Sequence, residues 1–150
     1  MNKRKKPKIL LVEYNRTIAE LTKEAMENAG FLVQIASNGE KACEMYYEKI
    51  RRPDMIITNV PMPYMNGLEM VKSIRKHNKR IPILFLSDLT STDDVVRGYQ
   101  VGGNDYIRKP IEMGELILRI RALLDRHTTS SPASVSELPH KKFPDWQLPE

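Results

Sequence analysis

Between residues 8 and 126 the chain alternates five times between a short apolar run and a longer segment whose apolar residues recur at helical spacing. Such a pattern admits few folds. Each strand is followed by a crossover helix, successive strands lie parallel, and crossovers of one hand place helices on both faces of the sheet. The predicted strands are residues 8–12, 32–36, 54–58, 81–86 and 106–108. Met55-Ile56-Ile57 is apolar without alternation, as a strand covered on both faces requires. The predicted helices are residues 16–29, 39–50, a segment opened by Asn66 and running to about 76, a segment opened by Ser91 and running to 100, and residues 112–126. Asn15 and Asn38 are placed to cap the first two, and Asn66 with Glu69 and Ser91 with Asp94 have the spacing of capping boxes. Gly30 ends the first helix. Its apolar face is expected to be Ile18, Leu21, Ala25 and Ala29, and that of the last helix Met113, Leu116, Ile117, Ile120 and Leu124.

With 150 residues, 41% of them hydrophobic, the chain suffices for one domain that buries roughly 70% of its unfolded surface. No run of about 18 apolar residues occurs, and MNKRKKPKILLVE lacks the apolar stretch and cleavage site of a signal peptide. A cytoplasmic protein with no membrane contact is therefore expected. Cys43, the only cysteine, allows no intrachain disulfide, and His77, His127 and His140 form no zinc-binding spacing. Of the 24 basic residues, Lys3, Arg4, Lys5, Lys6 and Lys8 account for the whole net charge of +5; the remaining 19 match the 19 acidic ones. This arm reads as a solvated leader. No helix-turn-helix pattern lies outside the five strand–helix units, so DNA binding by this chain is not expected.

Three regions follow: a basic arm over 1–7, a folded domain over 8–126 and a linker or tail over 127–150. The tail opens on the polar run Thr128-Thr129-Ser130-Ser131-Pro132-Ala133-Ser134 and ends near Phe143 and Trp146.

In a sheet so wound, function collects at the carboxyl ends of the central strands, where Glu13, Tyr14, Asn59, Ser87 and Lys109 fall. The segment 53–67, PDMIITNVPMPYMNG, closes the third predicted strand on Asn59 and runs through Met62-Pro63 to Asn66-Gly67. With Glu13-Tyr14, Ser87, Tyr106 and Lys109-Pro110 in their order and spacing, it resembles the receiver domains of two-component response regulators over about residues 8–126. The resemblance implies a flavodoxin-like α/β fold, a doubly wound five-stranded parallel sheet of strand order 2-1-3-4-5 with five helices. It aligns Glu13 and Tyr14 with the family's acidic pair, Asn59 with the phosphoacceptor aspartate, Ser87 and Tyr106 with the switch residues, and Lys109 with the phosphate-binding lysine.

Two of these positions depart from the family. An ordinary receiver uses three carboxylates to hold Mg²⁺, one of them attacking phosphorus, while the lysine and hydroxyl bind the oxygens of the transferred group. Here Tyr14 stands for the second acid and Asn59 for the nucleophile, so that Glu13 alone keeps its charge. No cofactor is expected, Mg²⁺ binding through Glu13 should be weak, and a neutral amide should not take a phosphoryl group. Asp88 stands where receivers usually carry a small residue; Lys109 is expected to pair with Glu13 or Asp88 and hold the switch loops in one state. Plainer readings exist: Asn59 can satisfy backbone groups at the strand end, Asp88 can be a solvated loop residue, and Tyr106 can be half-buried packing.

The resemblance further implies a histidine kinase or other signalling protein as partner, and an effector domain missing after residue 126. Residues 94–126 resemble the dimerisation surface of winged-helix regulators: Asp105, Glu115, Arg119 and Arg121 match its charges, whereas Val95 and Asn104 do not, so a homodimer would be weakened. The expected function is a receiver module of a response regulator, not an enzyme, independent of phosphorylation and acting through protein–protein contact. Two alternatives are an ordinary phosphoacceptor receiver carrying an Asp-to-Asn substitution, which leaves Tyr14 unexplained, and a flavin or nucleotide-binding enzyme. The latter needs a glycine-rich phosphate loop after the first strand, where Glu13-Tyr14-Asn15-Arg16-Thr17 has no glycine.

Overall fold

The computed structural model describes residues 5–48 and 52–129, the last three by their backbone alone. Five strands, β1 (Lys8–Val12), β2 (Leu32–Ala36), β3 (Met55–Thr58), β4 (Ile83–Ser87) and β5 (Asp105–Arg108), alternate with five helices, α1 (Arg16–Asn28), α2 (Gly39–Tyr47), α3 (Gly67–Arg75), α4 (Thr92–Gln100) and α5 (Met113–Thr129). The strands form one parallel sheet in the order β2-β1-β3-β4-β5, the flavodoxin-like arrangement. Every residue of β3 and β4 is buried, which explains their unbroken apolar runs. On one face Val12, Tyr46, Val71, Ile74 and Phe85 pack with α2 and α3; on the other Ile9, Met26, Ile57, Leu116 and Ile120 pack with α1 and α5. Each such large side chain, fully buried, contributes about 2 kcal/mol.

The four predicted caps form: Asn15, Asn38, Asn66 and Ser91 each accept an amide hydrogen from the first turn of their helix, and the last two close capping boxes. Gly30, at φ 103°, terminates α1 in the left-handed region that glycine adopts without penalty. β4 begins two residues later than expected, because Pro82 has no amide hydrogen for the ladder; its carbonyl still accepts from Ile56 N at 3.0 Å. The helix expected over 39–50 ends at Tyr47, Glu48 being extended, and residues 49–51 lie outside the described residues. α5 continues past 126, while the start of the arm, residues 1–4, and the tail from 130, with Trp146, lie outside the described residues.

The expected face of α1 is corrected. Ile18 and Leu21 are 39% and 61% exposed, and Ala19, Thr22 and Met26 are buried in their place. Ala19 lets the helix approach the sheet closely and the unbranched Met26 fills the space beyond it, a fit that apolarity alone does not reveal. On α5 the core is Leu116, Ile120 and Leu123, with Met113 37% exposed.

Candidate functional site

A parallel sheet brings the carboxyl ends of all its strands to one rim. Ladder bonds extend one residue past three of them: Glu13 N donates to Ala36 O at 3.0 Å, Asn59 N to Val12 O at 3.0 Å, and Lys109 N to Ser87 O at 2.9 Å. The side chains of Glu13, Asn59 and Lys109 are thus aimed by the sheet rather than by loops. Glu13 and Asn59 are 7% and 3% exposed. Gly67, the first residue of α3, packs on the Asn59 carbonyl so closely that a Cβ there would collide with it.

The Lys109 ammonium donates to Glu13 Oε1 at 2.7 Å and lies 3.7 Å from Asp88 Oδ2. Asn59 Nδ2 donates to the same two oxygens, at 3.2 Å to Glu13 Oε1 and 2.9 Å to Asp88 Oδ2. Its carbonyl Oδ1 accepts from Val60 N at 2.8 Å and Asp88 N at 3.3 Å. Only this amide orientation works, since a flip would face oxygen with two carboxylates and nitrogen with two N–H groups. Glu13 Oε2 accepts from Asn15 N at 3.0 Å. Two acids and one ammonium therefore surround a neutral amide, with every oxygen of Glu13 engaged.

The segment from Asp88 to Ser91, joining β4 to α4, is tied at each residue. Beyond the Asp88 bonds, Leu89 N donates to Ser87 Oγ at 3.0 Å, Tyr106 OH donates to Leu89 O at 2.6 Å, and Arg108 Nε donates to Thr90 O at 2.8 Å. Ser91 Oγ and Asp94 Oδ2 meet at 2.7 Å in the capping box. Tyr106 is turned in, 6% exposed, its ring 5.5 Å from that of Phe85. Burial pushes its hydroxyl pKa up, against a partial offset from Ser87. Gly98 makes the space: a Cβ there would lie 2.6 Å from the Tyr106 ring.

Of the residues singled out in the sequence, Glu13, Asn59 and Lys109 meet, with Asp88 as a fourth member. Ser87 is buried beneath them and turns its hydroxyl to the next loop, one step from Tyr106. Tyr14 is not brought in; it is 60% exposed. Arg108, which holds Thr90, was not anticipated, and nothing in its sequence position distinguishes it from a solvated residue. At the edge of the sheet Arg119 bonds Asp105 at 3.1 Å and Glu115 at 3.2 Å, while Arg121 donates to Ala29 O at 2.9 Å. Asn104 Oδ1 accepts from Ile83 N at 2.8 Å and Arg75 Nη2 at 3.0 Å, which turns it inward to β4 and α3.

The family model described as "Response regulator receiver domain" matches residues 9–121. The chain is 34% identical over 141 residues to response regulator MprA of Mycobacterium leprae (strain TN), a match covering 94% of this chain and 60% of that protein. It is 31% identical over 130 residues to TcrX of Mycobacterium tuberculosis, named as a probable transcriptional regulatory protein, covering 87% and 55%. The chain thus spans little more than half the length of these curated relatives. The solved receiver domain of Francisella response regulator 1452 aligns at TM-score 0.74 and 32% identity over 80% of this chain and 98% of that one. A CheY-like receiver domain protein from Methanospirillum hungatei JF-1, at TM-score 0.78 and 21% identity over 84% and 99%, shares the fold.

Proposed function

The chain belongs to the response-regulator receiver domain family, and from that footing we propose a receiver whose signalling state is set by its own side chains instead of by aspartyl phosphate. The observation that carries this reading is the pairing of Lys109 with Glu13 at 2.7 Å while the Asn59 amide bridges Glu13 and Asp88. A cation and two N–H hydrogens already satisfy the carboxylates that would otherwise call for a metal ion.

The residues present do not fit a divalent cation. Glu13 has both oxygens bonded, Tyr14 offers no carboxylate and is turned outward, and Asn59 presents a donor, not an oxygen, to the acids. A hard dication takes oxygen ligands and would have to displace the Lys109 ammonium to reach them. Asn59 also supplies no charged oxygen to attack phosphorus, and its carbonyl is engaged by two backbone donors. The Asp88 carboxylate, beside the same lysine, would repel an incoming phosphoryl group.

The module acts, on this reading, by protein–protein contact, with a histidine kinase or another signalling protein as partner and without enzymatic activity of its own. TcrX's name supports a transcriptional output, supplied by an effector domain additional to the receiver. Homodimerisation through 94–126 belongs to the same proposal in weak form, because Arg119 is satisfied within its own chain. No helix among the described residues is long and apolar enough to cross a membrane.

Intact mass after incubation with acetyl phosphate and Mg²⁺ tests the reading, with N59D and Y14D/N59D alongside. The unaltered chain should gain no phosphoryl group and the double variant should gain one. A phosphoryl adduct on the unaltered chain, mapped to Asn59, would overturn it.

A further inference from the structure

The opposite rim of the sheet carries charge that the site does not use. Its three central lead-ins are stitched side by side: Lys8 N donates to Asp54 Oδ2 at 2.8 Å, Asp54 N to Lys8 O at 2.7 Å, and Ile56 N to Pro82 O at 3.0 Å. Ahead of β1 stand Lys5 and Lys6, ahead of β3 Arg52, and ahead of β4 Lys79 and Arg80; Lys76 closes α3 beside them. All six are exposed, and residues 70–82 contain no acid. At about 4.8 Å between strands, three neighbouring lead-ins span about 10 Å.

Sequence alone assigned the surplus charge to the arm, whereas the sheet register sets the loops before β3 and β4 next to it. The ion pairs of Arg97, Lys109 and Arg119 lie at the Lys109 site or on α4, β5 and α5, and none of them involves these six residues. Glu48 and Asp54 are the acids nearest Arg52 in the chain, and Asp54 accepts the Lys8 amide hydrogen. The strip is also held in place: the Arg75 guanidinium donates to Gly102 O at 3.0 and 2.8 Å and to Asn78 O at 3.1 Å, and Asn78 Oδ1 accepts from Arg80 N at 2.9 Å. The Arg52 guanidinium lies 5.2 Å from the centre of the Tyr46 ring.

We propose that this basic strip binds the phosphate backbone of duplex DNA without regard to sequence. Duplex DNA carries one charge per about 1.7 Å, a density that a 10 Å row of cations complements. A membrane surface is less well matched: of the exposed large apolar side chains among the described residues, Leu32, bonded through its amide to Pro7 O at 2.9 Å, and Tyr47, edge-on to His77 at 5.6 Å, border the strip, and two such residues make no apolar face. The choice of DNA among polyanions rests on the transcriptional output proposed above; the strip does not depend on how Asn59 is read.

The test is fluorescence anisotropy of the full chain with a labelled duplex of arbitrary sequence, across salt. With about four phosphate contacts, affinity should fall about a hundredfold between about 50 and 200 mM salt. K76E/R80E should weaken binding at least about tenfold at the low-salt end and flatten the salt slope by about two. R16E/K41E makes the same change in net charge at the first turns of α1 and α2, on the other rim, and should leave binding nearly unchanged. K76Q/R80Q should reproduce the loss in smaller measure, which separates it from any misfolding of the reversed-charge variant. Equal losses from both Glu pairs, or a loss confined to K5E/K6E, would overturn the proposal, the first as net charge alone and the second as the arm alone. So would binding to phosphatidylserine vesicles with none to the duplex.

Discussion

The amide at position 59 sets the direction of hydrogen bonding at the centre of the rim. Asn59 Nδ2 gives to Glu13 and Asp88 where an aspartate could only repel them. N59D should therefore lower stability by about 2 kcal/mol at neutral pH in urea unfolding. Millimolar Mg²⁺ should recover that loss in the variant and leave the unaltered chain unmoved. K109A strands Glu13, 7% exposed, beside a neutral amide, and should cost about 3 kcal/mol while raising backbone mobility at residues 88–91 in NMR relaxation. Unchanged mobility would show that the loop is held without the lysine. Glu13, Asn59 and Lys109 could be placed from sequence because ladder bonds fix them at strand ends. Asp88, whose side chain is 57% exposed, joins them through an amide rotamer and the turn after Ser87, neither of which sequence determines.

At the scale of elements, the segment between β4 and α4 is set by the helix cap as much as by the site. Replacing Ser91 with alanine removes the acceptor of Asp94 N at 3.1 Å and should cost about 1 kcal/mol. The Ser91 hydroxyl, more than any other group, holds the Asp94 carboxyl below its ordinary range; desolvation opposes this, and the Ser91 amide and Arg97 add to it. A depressed acid stabilises the fold above its unfolded pKa and loses that contribution as pH falls through the folded one. S91A should accordingly flatten the acid limb of stability against pH. G98A should push Tyr106 outward, and its hydroxyl titration, followed by NMR, should return toward the ordinary tyrosine range as burial is lost. Caps were legible because each needs one residue type at one offset. The face of α1 was not, because Ile18 and Leu21 are more apolar than Ala19 and Thr22 yet fit the sheet less closely.

Across the whole molecule the parallel sheet separates two rims, a hydrogen-bonded cluster of two acids, one ammonium and an amide at the carboxyl ends and a strip of exposed basic residues at the amino ends. The fold class and strand order followed from the alternation and the family resemblance, whereas the strip required the register that brings Arg52 and Arg80 beside Lys6. With Arg119 bound to Asp105 and Glu115 of its own chain, the protein should sediment as a monomer at low concentration, and a stable dimer abolished by R119A would contradict that expectation. The most direct test of a phosphate-independent state is the ¹H–¹⁵N spectrum of the unaltered chain, recorded with and without acetyl phosphate and Mg²⁺. In a receiver set by its own side chains the amides of Asn59, Asp88, Leu89 and Lys109 stay where they are; saturable shifts of those four amides would show a state that phosphate and Mg²⁺ can change.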